Sequence, residues 1–112
     1  MKLKLDETSG ICVVTALPNV LDAGNAARFK TEAARLLEDK NQAAFGLSAV
    51  KFIDSAGCGA LIAIMRRIEE SGGVLKLFGV QSQVNMVFEL VRIYKIIDIF
   101  KTKKEAIRSF QS

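Results

Sequence analysis

Residues 51–61 read Lys-Phe-Ile-Asp-Ser-Ala-Gly-Cys-Gly-Ala-Leu. An apolar strand pattern breaks here into a helical one through the turn Asp54-Ser55-Ala56-Gly57. The turn sets one hydroxyl and one carboxylate at a helix N-terminus. Backbone N–H groups at a helix start lack intrahelical partners and attract negative charge. A serine there caps the helix when bare and carries a phosphate when modified. From spacing alone the favoured reading is structural: Ser55 caps the helix, Asp54 is a turn or cap residue, and Gly57 and Gly59 let the chain bend closely against a neighbour. The amides of Gly57 to Gly59 could also form a nest for a nucleotide or small anion. A dinucleotide fingerprint would need a glycine where Ile62 stands, and no Gly-Lys-Ser/Thr run exists, so that signal is weak. Cys58 lies at the same helix start, which lowers a thiol pKa. A thiol sensor is therefore one reading, and a small apolar filler the favoured one.

Composition narrows the chemistry. The chain has 112 residues, two cysteines (Cys12 and Cys58) and no histidine. Without imidazole, Ser-His and Cys-His catalysis are excluded within this chain, and two distant thiols cannot supply a zinc site. No cofactor is expected. Half the residues are hydrophobic, enough for one domain over 1–112. No apolar run reaches the length of a membrane span. The opening Met1-Lys2-Leu3-Lys4-Leu5-Asp6 lacks the apolar core of a secretion signal, so the expected compartment is cytoplasmic, without membrane insertion. A net charge of +4 invites a nucleic-acid reading. The cations are scattered, however, and one tyrosine with no tryptophan offers no stacking platform, so an acidic protein partner is expected and nucleic acid is not.

The elements that must position the turn follow from periodicity. Leu3 and Leu5 alternate with lysines, and Ile11–Leu17 is an apolar strand; Asp6–Gly10 between them predicts a hairpin. Pro18-Asn19 ends the second strand. Asp22 offers an N-cap to an amphipathic helix of about four to five turns, with Ala26, Phe29, Ala33, Leu36 and Leu37 inward. Residues 43–47 are a buried strand. The helix after Ser55 turns Leu61, Ile62, Ile64, Met65 and Ile68 inward and stops at Gly72-Gly73. Residues 74–80 are a strand. Ser82 caps a third helix with Val84, Val87, Phe88 and Val91 inside. Residues 96–100 are a short strand, and Thr102 with Glu105 forms a capping box for a terminal helix. The seven phenylalanines, spread over all elements, read as core. The order β-β-α-β-α-β-α-β-α predicts an α/β fold, with a mixed, mostly parallel sheet of four to five strands and about four helices behind an N-terminal β-hairpin.

At these residues the chain resembles the STAS family, the domain of bacterial anti-sigma factor antagonists. Val50-Lys51-Phe52-Ile53-Asp54-Ser55-Ala56-Gly57 is similar to the family's Val-x-Phe-Ile-Asp-Ser-Ser-Gly signature, and Leu21-Asp22-Ala23-Gly24-Asn25-Ala26 to its Leu-Asp-x-x-Asn-Ala segment. The resemblance implies a binding module and not an enzyme. Such a protein binds an anti-sigma factor that doubles as a serine kinase, and so frees a sigma factor. Phosphorylation of the signature serine breaks the complex and a serine phosphatase restores it. By position the phosphoacceptor is Ser55, and the partner-binding residues are Asp22, Asn25, Asp54, Ala56, Gly57, Cys58 and Gly59. Two unit charges about 5 Å apart at an effective dielectric near 20 repel by roughly 3 kcal/mol, on the order of a hundredfold in affinity.

Departures from the pattern sharpen or loosen this. Ala56 replaces a second serine, leaving Ser55 as the only hydroxyl in the turn. Cys58 stands where Leu or Val is usual, and Gly46 where a polar residue is frequent. Arg92 replaces a glycine that closes the third helix, which predicts a different helix end. The same family also implies a second use. Stand-alone members serve as small subunits of membrane lipid-transport ATPases, or sit in stress-signalling assemblies. There the turn docks without phosphorylation.

Overall fold

The computed structural model describes residues 1–111. β1 (Lys4–Thr8) and β2 (Ile11–Thr15) form an antiparallel hairpin. The loop is shorter than Asp6–Gly10, because Ser9 and Gly10 both adopt positive φ (53° and 79°). This two-residue turn matches strand twist and lets pairing run on to Thr8. β2 ends at Thr15, ahead of Ala16 at φ 60°. β4 (Gln42–Gly46), β6 (Val74–Phe78) and β7 (Asp98–Phe100) then add in parallel, giving the order β1-β2-β4-β6-β7. The expected mixed α/β sheet is present. Two short strands, β3 (Val20–Leu21) and β5 (Phe52–Ile53), stand apart as a second, parallel pair.

The sheet is covered on both faces, which explains why β2 and β4 are almost wholly apolar. Alternate residues serve alternate layers. Cys12, Val14, Ala43, Phe45, Leu75 and Leu77 join the larger core. That core also takes Phe29 and Ala33 from α1 (Ala26–Leu36), Leu61, Ile64, Met65 and Ile68 from α2 (Ser55–Glu70), and Val84 and Phe88 from α3 (Ser82–Val91). Ile11, Val13 and Ala44 face the opposite way and meet Ile107 of α4 (Lys103–Phe110). Phe29 and Phe45 pack edge to face at 6.2 Å. Gly46 makes room for a ring: a Cβ there would come within 2.7 Å of Phe78.

Several boundaries differ from the periodicity for local reasons. α1 has 11 residues, about three turns rather than four to five. Asp22 does not cap it; its carbonyl accepts from Asn25 and Ala26 N–H (3.1 and 2.8 Å) in a turn that precedes the helix. Ser82 is the first residue of α3 and not its cap; Gln81 holds that position, its amide donating to the Ser48 carbonyl (2.6 Å). Val91, expected inside, is exposed. Arg92 takes the left-handed conformation (φ 58°, ψ 35°) despite its side chain, so α3 ends as it would with glycine. A 3-10 turn follows (Ile93–Lys95). Gly72-Gly73 closes α2 as expected: Gly72 N–H donates to Glu69 and Gly73 N–H to Ile68 (2.9 and 3.0 Å), the two bonds of a Schellman motif. Half of the expected capping box forms on α4. Thr102 Oγ1 accepts from Glu105 N–H (3.1 Å), while the Glu105 carboxylate takes the Thr102 hydroxyl (3.2 Å) and not its N–H. No helix of the described residues is long and apolar enough to cross a membrane.

Candidate functional site

The β3–β5 pair exists to bring two loops together. Asn19 carbonyl accepts from Lys51 and Phe52 N–H (2.7 and 3.2 Å), and Leu21 carbonyl from Asp54 N–H (3.3 Å). Residues 19–25 thereby lie against the start of α2. Asp22 and Asn25 stiffen this loop. Asp22 Oδ1 accepts from Gly24 N–H (2.9 Å), Asn25 Oδ1 accepts from Asp22 N–H (3.0 Å), and Asn25 Nδ2 donates to the Val20 carbonyl (2.8 Å). Asn25 occupies the N-cap position of α1, yet its side chain turns back into the loop and caps nothing.

Asp54, and not Ser55, caps α2. Its backbone is extended, and Oδ1 accepts from Gly57 N–H at 2.9 Å. Oδ2 accepts from Ala23 N–H at 3.1 Å. One carboxylate thus ties the helix start to the Asp22 loop. The Gly57 N–H foremost holds its pKa below the ordinary 3.8; partial burial opposes this, and the N–H groups of Ala23, Ala56 and Asp54 itself add to it. Ionised oxygens that accept N–H bonds are stabilised in the charged form.

Ser55 is the first helical residue, exposed, and its hydroxyl has no hydrogen-bond partner among the described residues. The capping role is therefore filled by its neighbour, and the serine is left over. Helix spacing puts Gly59 on the same face one turn on. Ala56, Gly59 and Ala60 line a shallow hollow against Ala26, Ala27 and Lys30 of α1.

The two glycines differ in kind. A Cβ on Gly57 would collide with the Leu21 carbonyl oxygen and lie 2.7 Å from Ile53 Cγ1. Gly57 is thus the contact that lets α2 seat against β3. A Cβ on Gly59 would meet nothing within 4 Å, so close approach within the fold does not require glycine there. The anion-nest reading of these amides loses its basis: Gly57 N–H is held by Asp54 Oδ1 and Cys58 N–H by the Asp54 carbonyl (3.0 Å).

Cys58 points inward. Burial first, and the Asp54 charge second, push its thiol up to about 11, opposite to the lowering expected from a helix start. Cys12 is also buried and raised, chiefly by burial. Neither is placed as a reactive thiolate. The structure thus gathers Asp22, Asn25, Asp54, Ser55, Ala56, Gly57 and Gly59 at one end of α2 and withdraws Cys58 into the core. It also adds two exposed apolar residues. Phe52, read as core, is exposed, as is Val20, its partner in register. Ile53 fills the inner face, so Phe52 must face out; that alternation was the available signal.

Comparison with known proteins agrees with this architecture. The sequence model of the STAS domain matches residues 2–106. A Thermotoga maritima protein named as an anti-sigma factor antagonist is 33% identical over 98 residues, covering 85% of this chain and 87% of its own. Another so named, BtrV of Bordetella bronchiseptica, is 24% identical over 113 residues, covering 100% of this chain and 97% of its own. A crystal structure of an anti-sigma factor antagonist from Thermotoga maritima superposes with a TM-score of 0.85 at 28% identity, over 98% of this chain and 95% of that one. With the signature turn, the sheet order and the family match in agreement, this chain belongs to the STAS domain family.

Proposed function

We propose that this chain is an anti-sigma factor antagonist switched by phosphorylation of Ser55. It binds an anti-sigma factor that is also a serine kinase, and so frees a sigma factor. The kinase, supplying ATP and Mg²⁺, modifies Ser55, and a serine phosphatase reverses this. The chain itself is a binding module that uses no cofactor and catalyses nothing. The observation that carries the reading is the Ser55 hydroxyl: exposed, unbonded, and first in a helix already capped by Asp54. The names of the relatives point the same way.

The geometry supports a switch that leaves the fold alone. Ser55 Oγ holds nothing together, so a phosphate breaks no internal bond. Asp54 already draws on the Gly57 and Ala56 N–H groups of the helix start, so the helix N-terminus has little left to offer a second anion. The phosphate, at roughly −1.5 to −2 charges, would stand beside a fixed carboxylate and project into whatever docks there. Asp22, Asn25, Ala56, Gly57 and Gly59 would form or shape the docking face, and the change is felt mainly in the complex.

The test is the intact mass of the protein from its native host, with peptide mapping. Phosphate on Ser55, absent in Ser55→Ala, is expected under at least one growth or stress condition. Once the kinase is in hand, Ser55→Asp should weaken binding on the order of a hundredfold. No phosphate under any condition, or a Ser55→Asp chain that binds as tightly as the natural one, would overturn the switch and favour a constitutive docking subunit.

A further inference from the structure

Residues 86–96 leave a grouped apolar surface in water. Leu90 is 83% and Met86 67% exposed, and Val91, Tyr94 and Ile96 are exposed beside them. Met86 and Leu90 lie one turn apart on α3 and share a face. Ile93, fully buried, pins the 3-10 turn that presents Tyr94. The opposite face of α3 buries Val84 and Phe88, and α3 packs against β5. β5 itself carries exposed Phe52 next to Val20 and runs directly into Asp54 and Ser55. Single exposed apolar residues are ordinary. Seven on adjoining elements mark an interaction surface.

The charges on the α3 strip and at Lys51 are mostly of one sign, and the acids just past β3 and β5, Asp22 and Asp54, already accept from the backbone N–H groups of Gly24, and of Ala23 and Gly57. Lys51 precedes Phe52, and Arg92 and Lys95 lie within the strip; all are exposed, and none has an ion pair among the described residues. The acid within the strip, Glu89, accepts a hydrogen bond from Asn85 (3.1 Å). Arg92 also holds a left-handed backbone (φ 58°) that glycine would adopt without strain. A guanidinium is thus kept on this rim at a cost to the backbone, an outlier of the kind found at functional positions.

We propose that the α3 strip is a second half of the docking surface. Its occupant is a protein segment whose apolar ridge is bordered by Asp or Glu. Strip against strip, a second copy of this chain would bring the same three cations with Glu89 as the one acid within the strip, while Asp22 and Asp54 are held by backbone N–H groups of their own chain, which disfavours self-association through this strip. An acidic rim satisfies Lys51, Arg92 and Lys95 and sets partner choice, while burial of Met86, Leu90 and Tyr94 supplies affinity. That the occupant is the same protein that reads Ser55 rests on the function proposed above; the existence of the dock does not.

The experiment places a photo-crosslinking residue at Leu90 and, separately, at Gly59, in the full chain in its native host. The crosslinked peptides are then sequenced. Sedimentation of the pure chain is run in parallel. One protein captured from both positions, through an Asp- or Glu-flanked apolar segment at Leu90, with the pure chain monomeric, is the expected result. Leu90→Asp and Arg92→Glu should each weaken that protein's binding by roughly tenfold or more, the second more at low salt than at high. Their unfolding midpoints should stay near that of the natural chain. Capture from Leu90 alone, with the same effects of the two variants, supports the dock and counts against the Ser55 reading. An adduct at Leu90 to a second copy, to lipid, or to a segment without acids overturns the proposal, as does no adduct at Leu90 at all.

Discussion

Gly57 and Gly59 lie two residues apart in α2, and the same substitution should act on them with opposite sign. In a helix interior, glycine to alanine is worth about 0.5–1 kcal/mol through the unfolded chain's lost freedom. At Gly59 nothing opposes this, since a new Cβ meets nothing within 4 Å. Gly59→Ala should therefore gain most of it. At Gly57 the Cβ would press on the Leu21 carbonyl oxygen and Ile53 Cγ1. The carbonyl cannot swing aside cheaply, because it also accepts from Asp54 N–H at 3.3 Å. Overpacking costs about 1–3 kcal/mol, and backbone as the obstacle argues for the upper half. Net of the helical gain, Gly57→Ala should lose about 1–2 kcal/mol, so the two variants should differ by about 1.5–3 kcal/mol. With about 4 °C per kcal/mol for a domain near this size, Gly57→Ala should melt roughly 4–8 °C lower and Gly59→Ala roughly 2–4 °C higher. Urea titration with an unchanged slope would assign both shifts to stability. A Gly57→Ala chain as stable as Gly59→Ala would refute the claim that Gly57 seats α2 on β3.

Asp54 should make stability acid-sensitive. Its folded pKa lies below 3.8, so its contribution is complete above that value and is lost as pH falls through the folded pKa. The gap in urea midpoint between the natural chain and Asp54→Asn should hold steady from about pH 7 to about pH 5 and shrink below the ordinary carboxylate range; a gap that widens in acid would contradict the assignment. Cys58, with its thiol raised to about 11 chiefly by burial, should react with a thiol reagent far more slowly in the folded chain than in urea. Fast labelling of folded protein would restore the thiol-sensor reading. Arg92→Gly removes a left-handed side chain that costs about 1–2 kcal/mol, offset by about 0.5–1 kcal/mol for the freedom a glycine adds to the unfolded chain, and should raise the melting point by roughly 2–4 °C; a fall would mean that the Arg92 side chain stabilises the fold in some other way.

Much of the fold was legible because periodicity reports burial one element at a time. The continuous apolar runs of β2 and β4, the alternation of β6, the inward stripe of α2 and the Gly72-Gly73 stop all depend on neighbours in sequence. The Asp54-Ser55 turn was legible for the same reason, since strand, cap and helix are contiguous. The chain alone also determined that Ser55 is the one hydroxyl in that turn and that no imidazole is present to activate it.

Contacts between distant segments decided the rest. Which residue caps α2 could not be read from Asp-Ser, because both types cap helices. The Ala23 N–H, 31 residues from Asp54, helps hold that carboxylate in place and leaves the serine free. Gly57 and Gly59 look alike in sequence; only the Leu21 carbonyl tells them apart. Cys58 sits at a helix start that lowers a thiol pKa, and burial by packed helices reverses the sign. Two-residue strands such as β3 and β5 are too short for any period, yet their pairing joins the Asp22 loop to Ser55 and turns Phe52 outward. Local pattern thus determined which residues are apolar, polar or nucleophilic, while tertiary packing decided which polar groups of the turn were already used and left the Ser55 hydroxyl without a hydrogen-bond partner among the described residues.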